Sequence, residues 1–257
     1  NTGCSCKTAL HDLAGGGLCA CDMVLMMEIT DLSACAELAK EHNLLMITDN
    51  TFLSPYLQNP IALGADIVIH SASKLLCGHN DTIAGFVCPA KEELAAKIGL
   101  IAKTTGGCLS PFDSWLVMRG IKTLAVRMER QQENAGNIAC WLTEQKKVRK
   151  VYYAGLETHP GYEINAKQAR GAGAMISFDV DSVETAQRVL EKVRVITFAE
   201  SLGGTESLIT YPMKQTHPDV PKEWREKLGI TDTLLRLSVG LEHVDELIAD
   251  LEQAFVS

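Results

Sequence analysis

Hydrophobic and polar positions along this chain fall into blocks of two kinds. Some repeat with the 3.6-residue period of a helix, and others are short apolar runs of the kind that form strands. Residues 30–42 read as a helix, with Leu32, Cys35, Leu38 and Ala39 on one face and Thr30 or Asp31 as its N-cap. Leu44-Leu-Met-Ile-Thr48 is nearly all apolar, the pattern of a strand buried on both faces. Asp66-Ile-Val-Ile-His70 is a second such run and residues 83–88 a third, and residues 91–102 return to the helical period. Ser110-Pro-Phe-Asp113 predicts a helix start, because Ser110 can cap, Pro111 suits the first helical position and Asp113 can close a capping box. Helical patterning then continues to about residue 148, with room for one break. Beyond it, strands are expected at 174–180, 195–199, 207–211 and 234–239, with helices at 182–192 and 243–255. This alternation predicts an α/β protein of two units joined by a long helix. The first 22 residues show no clear period and contain the breaker Gly15-Gly16-Gly17.

Composition narrows the function classes. A net charge of -8 on 257 residues argues against a nucleic-acid partner, which would favour a basic face. No apolar run reaches transmembrane length, and no secretory leader pattern is present, so no membrane partner is expected. The nine cysteines are odd in number and several sit inside apolar runs, which speaks against a disulfide framework and for a reducing cytoplasm. Cys4-Ser-Cys6 and Cys19-Ala-Cys21 could supply soft metal ligands. Their C-x-C spacing is not the usual zinc pattern, so no metal is expected.

The chemistry gathers at two strand ends. In an open parallel sheet, ligands bind beyond the carboxyl ends of the strands. The strand at 44–48 ends at Asp49, and the strand at 66–70 runs into Ser71-Ala-Ser73-Lys74. An acid, two hydroxyls and an amine thus share one rim. Pyridoxal phosphate uses such a set. Lys74 would form the Schiff base and shuttle protons, Asp49 would keep the ring nitrogen protonated, and Ser71 and Ser73 would hold the phosphate. Taken singly, each has a plainer reading: Asp49 as a strand-end turn or helix cap, Lys74 as a surface lysine, Ser71 and Ser73 as loop residues.

Asp49-Asn-Thr-Phe-Leu-Ser-Pro-Tyr56, followed by Gly64-Ala-Asp-Ile-Val-Ile-His-Ser-Ala-Ser-Lys74-Leu-Leu-Cys-Gly-His79-Asn-Asp81, closely resembles the cystathionine γ-synthase/γ-lyase family of pyridoxal-phosphate enzymes. Ser110-Pro-Phe-Asp with Arg119-Gly-Ile-Lys-Thr123, Gly155-Leu-Glu-Thr-His-Pro160, Glu200-Ser-Leu-Gly-Gly204 and Leu235-Arg-Leu-Ser-Val-Gly240 extend the likeness, which covers about residues 24–257. It implies an aspartate aminotransferase-like fold (fold type I): a partial large domain with a parallel-rich sheet, and a smaller C-terminal α/β domain. It implies pyridoxal 5'-phosphate as cofactor, Arg236 and Ser201 as binders of the substrate α-carboxylate, and Glu200 beside them. A planar guanidinium can grip a carboxylate bidentately, although Arg236 read alone would sit on a solvent-facing edge strand. Cys77 and His79 are expected to be loop or packing residues.

The implied reaction is γ-replacement or β/γ-elimination on cystathionine, an O-acyl-homoserine or a related sulfur amino acid. The implied assembly is a homo-oligomer, a tetramer built as a dimer of dimers. Domains are expected at 1–23 (atypical), 24–139 (partial cofactor-binding domain with the linking helix) and 140–257. The family's long N-terminal segment, with its phosphate loop and stacking tyrosine, is absent. Where Glu-Thr-Pro-x-Asn-Pro is expected, the chain has Leu18-Cys-Ala-Cys-Asp-Met-Val24. The expectation is therefore a truncated chain whose leading residues are foreign to the fold. The alternative is an inactive remnant acting as a structural chain.

Overall fold

The computed structural model describes residues 11–13 and 17–21 as backbone, and residues 26–215, 223 and 229–256. In chain order the elements are β1 (His11–Leu13), β2 (Gly17–Cys21), α1 (Leu32–Glu41), β3 (Leu45–Asp49), α2 (Ser54–Leu57), β4 (Ile67–Ser71), β5 (Gly85–Pro89), α3 (Glu92–Thr105), α4 (Pro111–Ile121) and α5 (Leu124–Thr143). They continue with β6 (Val148–Tyr152), α6 (Tyr162–Gln168), β7 (Met175–Val180), α7 (Val183–Lys192), β8 (Thr197–Phe198), β9 (Leu208–Thr210), α8 (Pro212–Gln215), β10 (Leu234–Ser238) and α9 (Val244–Val256). Two compact units form. The first contains Ile29–Leu124, Glu163–Gly171 and the leading strands; the second contains Val24–Glu28, Ala125–Tyr162 and the chain from Ala172 onward.

The first unit is built on a sheet ordered β1-β2-β3-β4-β5. The pairs β2/β3 and β3/β4 are parallel, and both outer pairs are antiparallel. Of the two candidate caps for α1 it is Asp31 that acts, its carboxylate accepting the Ala34 N–H at 3.0 Å. Gln168 of α6 braces the same start, accepting the Leu32 N–H and donating to the Thr30 carbonyl. The apolar face of α1 covers Met46 and Val68, joining Leu32, Cys35 and Ala39 in one buried cluster. The opposite face of the sheet behaves differently from expectation. Leu45 is 38% exposed, Ile69 36% and Val87 49%. The β3 run is thus buried on one face only, because α1 packs on Met46 and Val68 and leaves the alternate positions open.

At α4 the Ser110 hydroxyl accepts the Asp113 N–H at 3.0 Å, as expected of a cap. The box closes through side chains: Ser110 Oγ donates to the Asp113 carboxylate, which also accepts the Thr82 hydroxyl, both at 2.6 Å. The expected helical stretch breaks at Lys122-Thr123 and stops at Thr143, and Val148–Tyr152 is a strand.

The second unit carries a mixed sheet ordered β6-β7-β10-β9-β8. Its core joins Ile138 and Leu142 of α5, Ile176 and Phe178 of β7, Leu235 and Leu237 of β10, and Leu247 and Leu251 of α9. A buried carboxylate pins the turn before β8: Asp250 accepts the backbone N–H groups of Arg194, Val195 and Ile196 at 2.8–3.0 Å. Three backbone N–H donors and the Gln253 amide satisfy a buried anion that has no cation paired with it among the described residues. The cysteine pairs near the start lie outside the residues whose side chains are described. Among the described residues, no helix is long and apolar enough to cross a membrane.

Candidate active site

The rim of the first unit's sheet is shaped by two parallel strands that stop together. Asp49, the last residue of β3, pairs in register with Ile69 of β4, so Ser71, the last residue of β4, lies two positions further along and Lys74 sits in the middle of the next turn. Asp49 is exposed and its Oδ1 accepts the Thr51 N–H at 2.9 Å. The Thr51 hydroxyl in turn accepts the Ser71 N–H at 2.8 Å. Asn50 is buried beneath, its amide donating to the carbonyls of Ser54 and Gln58. Asp49-Asn50-Thr51 is therefore a turn, as the plainer reading of Asp49 has it. The turn also ties the two strand ends together, and it leaves one carboxylate oxygen at the open edge.

Past Ser71 the chain enters a wide turn, Ala72–Leu76, in which Lys74 alone has non-helical backbone angles (φ -94°, ψ -130°). Its start is fastened to Ala84: the N–H groups of Ala72 and Ser73 both donate to the Ala84 carbonyl. The Ser73 hydroxyl accepts the Ala84 N–H at 2.9 Å and donates back at 3.3 Å. Its exit is closed by Gly78 N–H donating to the Lys74 carbonyl at 2.7 Å. Lys74 is half-buried and held on a backbone fixed from both sides. Cys77 is buried with its thiol on the Asp81 carboxylate, and His79 Nδ1 lies 2.7 Å from the Cys77 carbonyl, so both serve their own loop.

The second unit carries the other candidates. β10 lies inside its sheet, between β7 and β9, so Arg236 is not on an edge. Its side chain is 5% exposed and, among the described residues, makes no hydrogen bond or ion pair. Burial pulls its pKa below the usual guanidinium value, opposed by the exposed Glu200 carboxylate. Ser201 follows Glu200 with φ +130°, a backbone region that ordinary side chains rarely adopt. Asp49, Ser71, Ser73 and Lys74 thus share one unit, and Glu200, Ser201 and Arg236 share the other.

Residues 24–256 match the family described as Cys/Met metabolism PLP-dependent enzyme. The chain belongs to this family. It is 50% identical over 229 residues to a cystathionine beta-lyase of Lactococcus lactis subsp. cremoris (strain MG1363), covering 89% of this chain and 60% of the relative. It is 48% identical, with the same coverage, to a cystathionine gamma-lyase of Bacillus subtilis (strain 168). Among solved structures, cystathionine gamma-lyase from Lactobacillus plantarum complexed with L-serine matches with a TM-score of 0.88 at 47% identity, over 90% of this chain and 61% of that one. Cystathionine gamma synthase from Xanthomonas oryzae pv. oryzae in complex with cystathionine matches with a TM-score of 0.90 at 41% identity, over 92% and 62%. The chain therefore spans about 60% of the relatives it matches. The fold is that of the fold type I PLP-dependent enzymes, and the family's cofactor is pyridoxal 5'-phosphate.

The rim residues fit that cofactor. An amine on a fixed backbone, an exposed carboxylate and a hydroxyl at a strand end are groups of the kinds that could hold its aldehyde, ring nitrogen and phosphate. Sequence reading passed over Asn50 and Thr51 except as turn formers. The signal was their place directly after a strand-ending acid, where a hydroxyl can reach the next strand.

Proposed function

We propose that the protein is a pyridoxal-phosphate-dependent transsulfuration enzyme, acting on cystathionine, an O-acyl-homoserine or a related sulfur amino acid. The observation that carries this reading is the shared rim of Asp49, Ser71 and Lys74 at two adjoining parallel strand ends. The cofactor, when bound, supplies an electron sink for charge left at the substrate Cα. Lys74 is the covalent anchor and then the base that carries the Cα proton. Asp49 keeps a proton on the pyridine nitrogen, and the Thr51 N–H orients its carboxylate. Ser71 donates to the phosphate. Ser73 can keep the bond it accepts from Ala84 and turn its weaker 3.3 Å donor bond to the same anion. Arg236 receives the α-carboxylate: a buried guanidinium with no hydrogen bond or ion pair among the described residues is a site for one. Ser201 and Glu200 border that position.

The test is direct. The protein is incubated with pyridoxal phosphate, reduced with borohydride and mapped by mass spectrometry. The expected result is an adduct on Lys74, lost in Lys74→Ala. An adduct at the same level on other lysines would overturn the assignment. Cystathionine turnover then separates the chemistries by thiol product, since β-elimination releases homocysteine and γ-elimination releases cysteine.

We further propose that the protein works as a homo-oligomer, in the cytoplasm. The nine cysteines, odd in number, support the location, and the exposed face of α4 supports the assembly: Phe112, Trp115 and Met118 are 65%, 49% and 60% exposed at helical spacing. A contiguous apolar surface of this kind is the mark of an interface. Trp115→Glu should lower the sedimentation coefficient, and an unchanged value would remove α4 from assembly.

A further inference from the structure

The second unit holds a network that no role so far requires. The loop after β8 carries Ser201 at φ +130°, unusual for a residue with a side chain, and Gly203 at φ +78°, which glycine adopts freely. A strained angle such as that of Ser201 persists only where the surroundings determine it. Two buried side chains do so here. Ser238, two residues after Arg236 on β10 and on the same face of that strand, accepts the Gly203 N–H on its hydroxyl at 2.8 Å. Gln131, fully buried on α5, donates its amide to the Gly204 carbonyl at 2.6 Å. The loop's far end is closed by Glu242, whose carboxylate accepts the Ser207 N–H and hydroxyl, and by the Gly240 N–H on the Ser207 hydroxyl.

We infer that Ser238 and Gln131 are positioning residues for the substrate carboxylate. They clamp Gly203-Gly204 from two sides and so fix Ser201 relative to Arg236. The inference rests on reading Arg236 and Ser201 as the carboxylate site. Ser238 does a specific job in this arrangement. It belongs to the strand that holds the guanidinium and grips the loop that holds the hydroxyl, so one residue sets the spacing of both.

The test uses the full-length protein loaded with pyridoxal phosphate and compares wild type, Ser238→Ala, Ser238→Thr and Gln131→Met. Each is assayed on an α-carboxylate substrate and on its α-carboxamide. The expected result for Ser238→Ala is a rise in KM for the carboxylate of about five- to tenfold, the scale of one hydrogen bond. The preference for carboxylate over carboxamide should fall by a similar factor. kcat and the cofactor absorbance should change little. Ser238→Thr, which keeps the hydroxyl, should restore much of the preference. Gln131→Met should repeat the effect, and it serves as the readout if Ser238→Ala fails to fold. An unchanged carboxylate preference in a folded, active Ser238→Ala or Gln131→Met overturns the inference and leaves the functional reading standing. A wild type with no lysine adduct and no turnover removes both.

Discussion

Replacing Gly120 with alanine sets two known effects against each other. A Cβ built at this position of α4 would lie 2.1 Å from the Cys77 carbonyl oxygen and 2.8 Å from the Cys77 carbonyl carbon and Cα. Ordinary contact begins near 3.4 Å, so backbone must give way by more than an ångström. All three atoms belong to main chain, so no side chain can rotate aside. Overpacking of this kind costs about 1–3 kcal/mol, and the backbone partners put Gly120→Ala at the upper end. Against this, alanine in a helix interior gains roughly 1 kcal/mol over glycine. The clash should win, leaving a net loss of about 2 kcal/mol. For a chain of this size that lowers Tm by roughly 4–8 °C. The displacement should also be felt at the site, because Cys77 closes the turn that begins at Ala72 and Gly78 bonds the Lys74 carbonyl. Circular dichroism melts give the first readout, and hydrogen exchange over residues 72–78 gives the second. An unchanged or raised Tm, with unchanged exchange, would mean that α4 does not seat against the Lys74 turn and that this packing is wrong.

Three further outcomes are expected. Asp49→Asn should retain the cofactor but slow Cα proton removal, since an amide cannot hold a proton on the pyridine nitrogen; an undiminished deuterium-exchange rate at Cα would exclude Asp49 from that role. Arg236→Ala in the full-length protein should cost about 3–5 kcal/mol in kcat/KM for carboxylate substrates and less for analogues without it, and equal losses would make Arg236 structural. Burial holds the imidazoles of His70 and His159 below their usual value of 6.5, against the pull of Asp49 on His70 and with the help of Lys150 on His159. The folded state then binds fewer protons than the unfolded chain, so stability is complete above the unfolded pKa and is lost as pH falls below it through the folded values. A urea midpoint that does not drop between about pH 7.5 and about pH 5.5 would contradict this.

Much of the fold was readable because local signals agreed with the packing. Asp31 and Ser110 are polar caps placed directly before apolar-periodic runs, and both cap as expected. The runs ending at Asp49 and Ser71 are strands whose ends adjoin, which is what made an acid and an amine at those ends suggestive. Three kinds of feature escaped. The β6 strand, Val-Arg-Lys-Val-Tyr, is half polar and pairs only with β7 at the sheet's edge, so its pattern does not separate from a helical tail. The burial of single faces also escaped, because a run such as Leu45–Asp49 has the same composition whether one face or two is covered. Partners distant in sequence were invisible for a simpler reason. Nothing near Gln131 indicates a bond to Gly204, 73 residues away.

The second unit also bears features that stability alone would not favour. Arg236 is a buried charge with no internal partner among the described residues, and the desolvation of such a group is unfavourable until an anion arrives. Ser201 occupies a backbone region that glycine would fill with less strain. Both lie beside a set of buried hydrogen bonds that hold the loop: Ser238 to Gly203, Gln131 to Gly204, Ser207 to Glu242. A fold that buries one guanidinium with no ion-pair partner among the described residues and holds one serine at a strained backbone angle nearby is concentrating unfavourable terms at one place. Local rules fail together in this way at functional sites, where a ligand completes what the chain leaves open. The same reasoning sets the sign of a measurable effect: an α-amino acid that fills the Arg236 site should raise the stability of the second unit, because binding to the folded state alone shifts the unfolding equilibrium toward it.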